Sequence, residues 1–258
     1  MNNRTALVTG ASKGLGKQVA LYFGRLGCNV VCTARSGELL AETVQAIRHS
    51  GGTATAIATD VTKQAQVENL VERSVERFAA IDILCNCVGI LGPKIDLIEY
   101  LDESDWDTCL AVNLKSVFLM CRSVAPVMKN QRKGKIINLT TNIDDRVERG
   151  VIPYYAAKAG VTYMTRNLAC ELKPFNVQVN CLNPGGLKTD MTTFWEQYPD
   201  REAMARRGQT QYVPFEDRLR EIAEILPIIG FLSGPDSDPI TGAYFSVSSK
   251  VEPMYLSL

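Results

Sequence analysis

Histidine is almost absent from this chain of 258 residues, because His49 is the only one. It lies in a polar stretch just before Gly51 and Gly52, a setting typical of an exposed residue at the end of a helix. Histidine is the usual proton carrier near neutral pH and the commonest metal ligand in proteins. We therefore expect no histidine-based catalysis and no metal site.

An excess of charge of either sign is also lacking. Lysine and arginine together number 28, and so do aspartate and glutamate, so the net charge is zero. Surfaces that bind nucleic acids or anionic membranes usually carry a basic excess. The composition therefore argues against nucleic acid or a membrane as a partner.

Long hydrophobic runs are missing as well. The first ten residues, MNNRTALVTG, contain no apolar run long enough for a signal peptide. No uninterrupted apolar run of membrane-spanning length occurs further along the chain. We predict a protein that functions in the cytoplasm.

The eight cysteines are scattered through apparent strands and helices, where cysteine behaves as a small hydrophobic residue. This distribution indicates a reducing compartment, since disulfide frameworks belong to oxidising ones. Cys85 and Cys87 are separated by one residue in an apolar run. We interpret this spacing as placing their side chains on opposite faces of a strand, which makes a shared metal ion unexpected.

Apolar runs alternate with amphipathic segments along the whole chain. After the first run, Val19, Phe23 and Leu26 recur at helical spacing. Strands are predicted at 4–9, 29–34, 53–60, 82–89, 135–141, 176–186 and 240–247. Helices are predicted at 15–26, 36–49, 63–79, 103–129 (with a kink or an end at Pro126), 154–172 and 218–232.

This alternation predicts an α/β fold with a parallel sheet of about seven strands and helices on both faces. No linker or repeat divides the chain, so we expect one doubly wound, Rossmann-type domain covering residues 1–258. Such sheets bind ligands at the carboxyl ends of their strands. The chemically distinctive residues follow the predicted strands, which places them at that edge.

The turn after the first strand reads TGASKGLG, residues 9–16. Gly10, Gly14 and Gly16 allow a tight turn and close approach of a ligand to the backbone. The helix that begins there directs its free N–H groups and the positive end of its dipole into the turn. A strand, a glycine-rich turn and a helix in this order predict the binding of a dinucleotide through its pyrophosphate.

The second strand ends at Ala34, where a site for NAD would carry an acidic residue that binds the ribose 2′-hydroxyl. Arg35 follows it, and Lys13 lies in the glycine turn. Two cations without a carboxylate favour the 2′-phosphate of NADP(H). The alternative is that both are solvated surface charges.

Tyr154 and Lys158 are four residues apart in PYYAAKAG, residues 153–160, and so share one face of a helix. The ordinary pKa of tyrosine is about 10, too high for ready proton exchange near neutral pH. A neighbouring ammonium group favours phenolate. The pair predicts a general acid/base in which Lys158 lowers the pKa of Tyr154.

Several ordered motifs together resemble the short-chain dehydrogenase/reductase family over nearly the whole sequence. The resemblance implies that the cofactor contacts Gly10, Ser12, Lys13, Gly14, Leu15, Gly16, Arg35, Asp60, Val61, Asn86, Gly89, Tyr154, Lys158, Pro184, Gly185, Leu187 and Thr189. It also implies that the catalytic residues are Asn113, Thr141, Tyr154 and Lys158, with Asn113 holding a water that relays protons to Lys158.

The chain departs from the pattern of that family in three places. Thr141 stands where the catalytic serine is usual, and keeps the hydroxyl while adding a methyl group. Cys87 and Val88 replace an Asn-Ala pair, which we expect to alter packing under the adenosine. The last strand reads FSVSSK where many relatives end in Asp-Gly-Gly.

The resemblance implies an NADPH-dependent oxidoreductase that reduces the carbonyl of a small-molecule substrate to an alcohol, with Tyr154 as the proton donor. One alternative is an alcohol dehydrogenase that works in the oxidative direction, and another is a non-catalytic dinucleotide-binding sensor or scaffold. A sugar epimerase or dehydratase would need a larger C-terminal domain than this chain has room for. By analogy with relatives, we expect a homodimer or homotetramer.

Two segments bear on the substrate. Residues 189–217 carry five aromatic side chains and are predicted to cover the site. These side chains either line a substrate pocket or only hold the segment against the rest of the protein. The connection 142–150 is rich in charged residues, among them Asp144 and Asp145. These charges either face water, the expectation for a surface loop, or turn inward, which would favour a polar ketone over a plain fatty or steroid one.

Overall fold

The computed structural model describes residues 1–141, 148–192, 201–206 and 219–247. In this part of the chain one sheet of seven parallel strands has the order β3-β2-β1-β4-β5-β6-β7. The strands are β1 Thr5–Thr9, β2 Asn29–Ala34, β3 Thr53–Ala58, β4 Ile83–Asn86, β5 Gly134–Leu139, β6 Val177–Asn183 and β7 Tyr244–Ser246. The order reverses between β1 and β4, so the doubly wound fold predicted from the sequence is confirmed.

The helices fall between the strands as the periodicity predicts. They are α1 Gly14–Arg25, α2 Gly37–His49, α3 Gln64–Phe78, α4 Glu103–Leu110, α5 Ser116–Gln131, α6 Ile152–Leu172, α7 Arg201–Arg206 and α8 Leu226–Ser233. A π-helical turn, Ala111–Lys115, joins α4 to α5. His49 is the last residue of α2 and is exposed, as expected.

The predicted helix 218–232 begins later than the sequence suggested. Arg220 instead forms a single β-bridge with Leu187, and a 3₁₀ turn, Ile222–Glu224, precedes α8. Pro227 lies in the first turn of α8. Proline fits there because the first N–H groups of a helix have no partner within it.

Pro126 does not end its helix, because α5 continues to Gln131. The residue lies on the exposed face of α5, where water can hydrogen-bond the carbonyl that proline leaves without a donor. The exposure of Pro126 therefore explains why the helix continues past it.

The helical stretch Glu103–Gln131 spans 29 residues and contains an 18-residue window with a mean hydropathy of 1.3, so by length and composition alone it could cross a membrane. A core helix of a soluble protein has the same properties. Here Val117, Met120 and Val124 are buried in a cluster that also contains Leu84 of β4 and Ile136 of β5. The buried side chains of this stretch therefore pack against the sheet, as in a core helix of a soluble protein.

The core lies on both faces of the sheet, as alternating side-chain directions require. In β1, Ala6 and Val8 belong to the cluster formed with α1, α2 and α8, whereas Leu7 belongs to the cluster formed with α3, α5 and α6. Burying each large aliphatic side chain contributes about 1.5–3 kcal/mol. Packing on both faces fixes the carboxyl ends of the strands, where the candidate site lies.

Candidate active site

The turn between β1 and α1 is a backbone cradle. Gly10 and Gly14 have φ angles of 68° and 54°. A Cβ atom at Gly16 would lie 2.2 Å from the carbonyl oxygen of Gly10, so the turn requires glycine there. No side chain in the described part of the chain caps the start of α1, which leaves its N–H groups for an anion. The half-buried Ser12 and Leu15 complete the turn.

Arg35 is exposed directly after β2, next to the acid that follows β3. The Oδ1 atom of Asp60 accepts hydrogen bonds from the Thr62 N–H at 3.0 Å and the Thr62 hydroxyl at 2.7 Å. Burial raises the pKa of Asp60, but these hydrogen bonds and the charges of Lys63 and Arg35 lower it overall. Arg35 therefore has an ionised carboxylate nearby, which the sequence argument did not foresee. Val61, which follows Asp60, is buried in the core.

Lys13 faces a different part of the site from Arg35. Its Nζ atom is 3.1 Å from the Oδ2 atom of Asp190, with 68% and 72% of the two side chains exposed. Ion pairs this exposed contribute about 0–1 kcal/mol, so the lysine remains free to exchange partners at little cost. The pair connects the glycine turn to the segment that follows β6.

The segment after β6 holds the other predicted cofactor contacts. Pro184 and Gly185 are half-buried, and the Gly185 N–H donates to the Asn183 side chain at 3.0 Å. Leu187 is buried and Thr189 is half-buried. The structure thus brings this segment to the same sheet edge as the glycine turn.

Asn86, predicted to contact the cofactor, is only 2% exposed. Its Nδ2 atom donates to the Oδ1 atom of Asn138 at 2.8 Å, inside the sheet. The side chain therefore joins β4 to β5. The next two N–H groups, those of Cys87 and Val88, donate to the Thr9 hydroxyl at 3.0 and 3.4 Å. The end of β4 is in this way tied to the end of β1.

Cys85 and Cys87 lie on the same side of the sheet, with their Sγ atoms 3.5 Å apart. The expectation that they face opposite sides was wrong, because residues two apart in a strand point to the same face. Within the described residues, no group of three or more potential metal ligands forms.

Tyr154 and Lys158 lie side by side on α6, as their spacing predicted. The Nζ atom of Lys158 is 5.8 Å from the centre of the Tyr154 ring and donates to the Leu139 carbonyl at 2.9 Å. Lys158 is 4% exposed, and Tyr154 is half-buried. Pro153 in the first turn sets the start of the helix just before the tyrosine.

The expected lowering of the tyrosine pKa is not observed. Burial raises the pKa of Tyr154 to about 12; a hydrogen bond from Thr141 works against this rise, and the charges of Cys109 and Glu148 add to it. Burial lowers the pKa of Lys158 to about 8, opposed by Cys87 and Cys109. Near neutral pH the tyrosine is therefore protonated and poised to donate.

Asn113 lies in the π-helical turn and is fully buried. Its Nδ2 atom donates to the carbonyls of Ile90 at 2.8 Å and Cys109 at 2.9 Å, and its Oδ1 atom accepts from the Ile90 N–H at 3.1 Å. π-helical turns are frequent at functional sites. The asparagine thus holds the loop after β4; its role with a water stays a prediction.

Gly89 lies where the loop after β4, the π-helical turn and α6 meet. A Cβ atom there would lie 3.2 Å from the Asn113 Oδ1 atom and 3.5 Å from the Lys158 Nζ atom. Any larger residue would press on both side chains. The lack of a side chain at this position lets Asn113 and Lys158 approach each other.

Sequence reasoning missed contacts between residues far apart in the chain. The Tyr244 hydroxyl donates to the Thr141 carbonyl at 3.2 Å and so holds the residue beside Tyr154. Ile95 and Val151 form a small buried cluster against which Tyr154 packs. No spacing rule signals such contacts, since they depend on tertiary structure.

The structure describes only part of the two segments that were predicted to lie near the substrate. Asp144 and Asp145 lie outside the described residues, whereas Glu148, in the same connection, is close enough to influence the Tyr154 phenol. Of 189–217, the described residues are 189–192 and α7. The inward orientation of the charged connection stays a prediction.

Comparison with known proteins identifies the family. Residues 4–199 match the model for short chain dehydrogenases. The chain is 34% identical over 244 residues to the BbsD subunit of (2S)-[(R)-hydroxy(phenyl)methyl]succinyl-CoA dehydrogenase from Thauera aromatica, covering 94% of each chain. It is 32% identical over 247 residues to the 3-oxoacyl-[acyl-carrier-protein] reductase FabG of Thermotoga maritima, covering 96% of this chain and 97% of the relative.

A solved structure agrees with these relatives. A variant of actinorhodin polyketide ketoreductase with NADPH superimposes with a TM-score of 0.83 at 28% identity, covering 95% of each chain. The similarity to these oxidoreductases covers almost the full length of the chain. It includes the glycine turn, the Tyr154–Lys158 pair and the strand order described above. The protein belongs to the short-chain dehydrogenase/reductase family and is an oxidoreductase of that family.

Proposed function

We propose that this protein reduces a carbonyl group to an alcohol with NADPH. The observation that supports this most directly is the Tyr154 phenol, which is hydrogen-bonded to Thr141 and lies beside the buried Lys158. These groups occupy the same sheet edge as the glycine turn. When bound, NADPH supplies a hydride to the carbonyl carbon.

The proton comes from Tyr154, which keeps it at neutral pH because burial raises its pKa to about 12. A growing negative charge on the substrate oxygen makes this transfer favourable. Thr141 donates a second hydrogen bond to the same oxygen in place of its bond to the phenol, an interaction worth about 2.7–4 kcal/mol in comparable sites. Lys158 contributes a positive charge next to the phenol, and Asn113 supports the loop that borders Lys158.

NADPH is the proposed cofactor because no acid stands at Ala34 and the exposed Arg35 follows it. Gly37, at the start of α2, has no heavy atom within 4 Å of a Cβ position, which leaves room for a phosphate beside Arg35. Lys13 is available once its exposed pairing with Asp190 is released. The structural relative with NADPH is consistent with this assignment.

Oxidation of an alcohol is the second candidate, because the relative from Thauera aromatica is named as a dehydrogenase. The same residues serve both directions, with Tyr154 accepting the proton instead of donating it. A dinucleotide-binding sensor is the third possibility, and it predicts binding without turnover.

The test is NADPH oxidation across ketones, quinones, keto-sugars and acyl thioesters, with NADP⁺ reduction by the corresponding alcohols. Tyr154→Phe keeps the ring and removes the proton donor, so we expect kcat to fall at least about a hundredfold, the scale of general acid catalysis, with NADPH affinity nearly unchanged. Tyr155→Phe, at the neighbouring half-buried tyrosine, is the matched control. Turnover by Tyr154→Phe near the wild-type rate would refute the assignment.

We also propose that the protein forms a homodimer or homotetramer in the cytoplasm. Phe118 of α5 and Tyr163 of α6 are 48% and 66% exposed, and large exposed apolar side chains on adjoining helices are typical of subunit contacts. All eight cysteines are free thiols, consistent with a reducing compartment. Light scattering of the wild type and of Phe118→Glu tests the assembly, with dissociation of the variant as the expected result.

A further inference from the structure

Two thiols lie together where β4 leaves the sheet. The Sγ atoms of Cys85 and Cys87 are 3.5 Å apart. A disulfide bond is about 2.05 Å long, so a movement of about 1.5 Å would join them. Cys85 is fully buried, whereas Cys87 is half-buried and therefore reachable by a small reagent.

The segment that carries Cys87 borders both the glycine turn and Lys158. The N–H groups of Cys87 and Val88 donate to Thr9 at the start of the glycine turn. A Cβ atom at Gly10 would lie 3.4 Å from Val88. Two residues after Cys87, Gly89 borders Lys158. A displacement of Cys87 would therefore be transmitted to the cradle and to the catalytic lysine.

We propose that Cys85 and Cys87 form a dithiol modification site for hydroperoxides, and that its oxidation weakens NADP(H) binding. The second part rests on the proposed function. The resembled family usually has an Asn-Ala pair at positions 87 and 88, and asparagine at position 87 provides no thiol.

The reaction balances with hydrogen peroxide as the oxidant. The Cys87 sulfur attacks one peroxide oxygen and the O–O bond breaks, giving a sulfenic acid at Cys87 and one water. The Cys85 sulfur then attacks the Cys87 sulfur, the S–O bond breaks, and hydroxide leaves with the Cys85 proton as a second water. Two thiols are oxidised to one disulfide, and the peroxide is reduced to two waters.

The order of the steps follows from burial. The hydrogen bond with Cys87 and desolvation raise the pKa of Cys85 well above that of an ordinary thiol. Cys85 therefore reacts only with the sulfur that already lies beside it. A link between residues this close in an extended segment is strained, and strained disulfides are readily reduced again.

Peptide mapping tests the site without any need for turnover. Cleavage after Arg77 and Lys94 releases residues 78–94, a fragment whose only cysteines are Cys85 and Cys87. After peroxide treatment and alkylation of the remaining thiols, we expect this fragment to lose two hydrogens and to escape alkylation. Dithiothreitol should reverse both changes.

Variants separate the pair from other thiols. Cys87→Ser and Cys87→Asn should form no link, whereas Cys170→Ser, which removes an exposed thiol on α6, should form it as the wild type does. Two alkylated cysteines in the fragment at peroxide concentrations that oxidise Cys170 would overturn the site. Because this result is independent of carbonyl reduction, failure of the proposed function would leave it standing.

NADPH affinity tests the consequence, with each variant compared with its own untreated sample. Losing a hydrogen bond at the cradle corresponds to about a tenfold rise in Kd. We expect a rise of this size in the oxidised wild type and in Cys170→Ser, reversed by dithiothreitol, and none in Cys87→Ser. A disulfide that leaves the Kd unchanged, or an equal loss in Cys87→Ser, would refute the coupling.

Discussion

Arg206 of α7 is joined to Asp96, a carboxylate with no exposed surface, by two hydrogen bonds to its oxygen atoms. The guanidinium also lies 4.4 Å from the centre of the Tyr100 ring. The hydrogen bond from Arg206 lowers the pKa of Asp96 despite burial, which acts in the opposite direction. Asp96 follows Ile95, whose cluster contacts Tyr154, so the pair anchors α7 near Tyr154.

The loss of stability should depend on which member of this pair is replaced. Arg206→Met leaves a fully buried carboxylate without its cation and should cost about 3–5 kcal/mol in the free energy of unfolding. Asp96→Asn leaves an arginine that is 27% exposed and can be hydrated, so it should cost less. Urea unfolding of both variants measures the difference.

The double variant Asp96→Asn/Arg206→Met is the control for that experiment. It removes the unpaired charge and should be more stable than Arg206→Met alone. If Asp96→Asn proves the more destabilising single change, the buried carboxylate is not the costly member of the pair. Steady-state kinetics of the same variants add a second measurement. A raised KM with little change in kcat would place α7 on the substrate side of the site.

Thr141 should tolerate serine but not valine. Serine keeps the hydroxyl, and Tyr244 would still bind the backbone carbonyl at this position. Valine keeps the shape and removes the donor, so about 2.7–4 kcal/mol of transition-state stabilisation should be lost from kcat. Steady-state kinetics on one carbonyl substrate measure both variants. A Thr141→Val enzyme with wild-type kcat would show that another group holds the substrate oxygen.

The sequence was sufficient for the architecture and for the pairing of Tyr154 with Lys158, because both follow from short-range periodicity. It failed for the Tyr154 pKa, since the spacing reveals the neighbouring cation but not the burial that outweighs it. The contact of Arg206 with Asp96 joins residues 110 positions apart, and no local pattern encodes it. The error over Cys85 and Cys87 was one of reasoning, because a period of two already places them on one face.

Lys158 should give the protein a characteristic pH dependence. Burial lowers its folded-state pKa to about 8 from an ordinary value of 10.5. Between these values the unfolded chain binds more protons than the folded one, so the contribution of Lys158 to stability rises with pH. Activity that needs the ammonium should fall over the same range, starting near pH 8.

Urea unfolding between pH 7 and 10.5 checks this sign, with Lys158→Met as the control that cannot titrate. The stability of the wild type relative to Lys158→Met should increase as the pH rises through the window bounded by the two pKa values. A difference that is flat, or that shrinks with pH, would mean that the lysine is not desolvated in the folded protein.

We expect the preference for NADPH to depend on Arg35 more than on Lys13. Arg35 is exposed directly after β2, and its charge acts on the nearby Asp60, whereas Lys13 already pairs with Asp190 in the segment after β6. A charge-assisted hydrogen bond to phosphate contributes about 1.5–3 kcal/mol, or roughly a tenfold to hundredfold effect. Arg35→Ala should therefore lower kcat/KM for NADPH by that factor and leave kcat/KM for NADH almost unchanged.

Lys13→Ala should have a smaller effect, because part of its gain in binding phosphate is offset by the loss of the Asp190 pair. Asp190→Asn is the matched test of that competition. It frees Lys13 and should improve kcat/KM for NADPH slightly, and this improvement should disappear when Lys13→Ala is added. Wild-type enzyme that uses NADH and NADPH equally well would contradict the assignment of both cations to a 2′-phosphate. An unchanged NADPH preference in Arg35→Ala/Lys13→Ala would show that other groups recognise it.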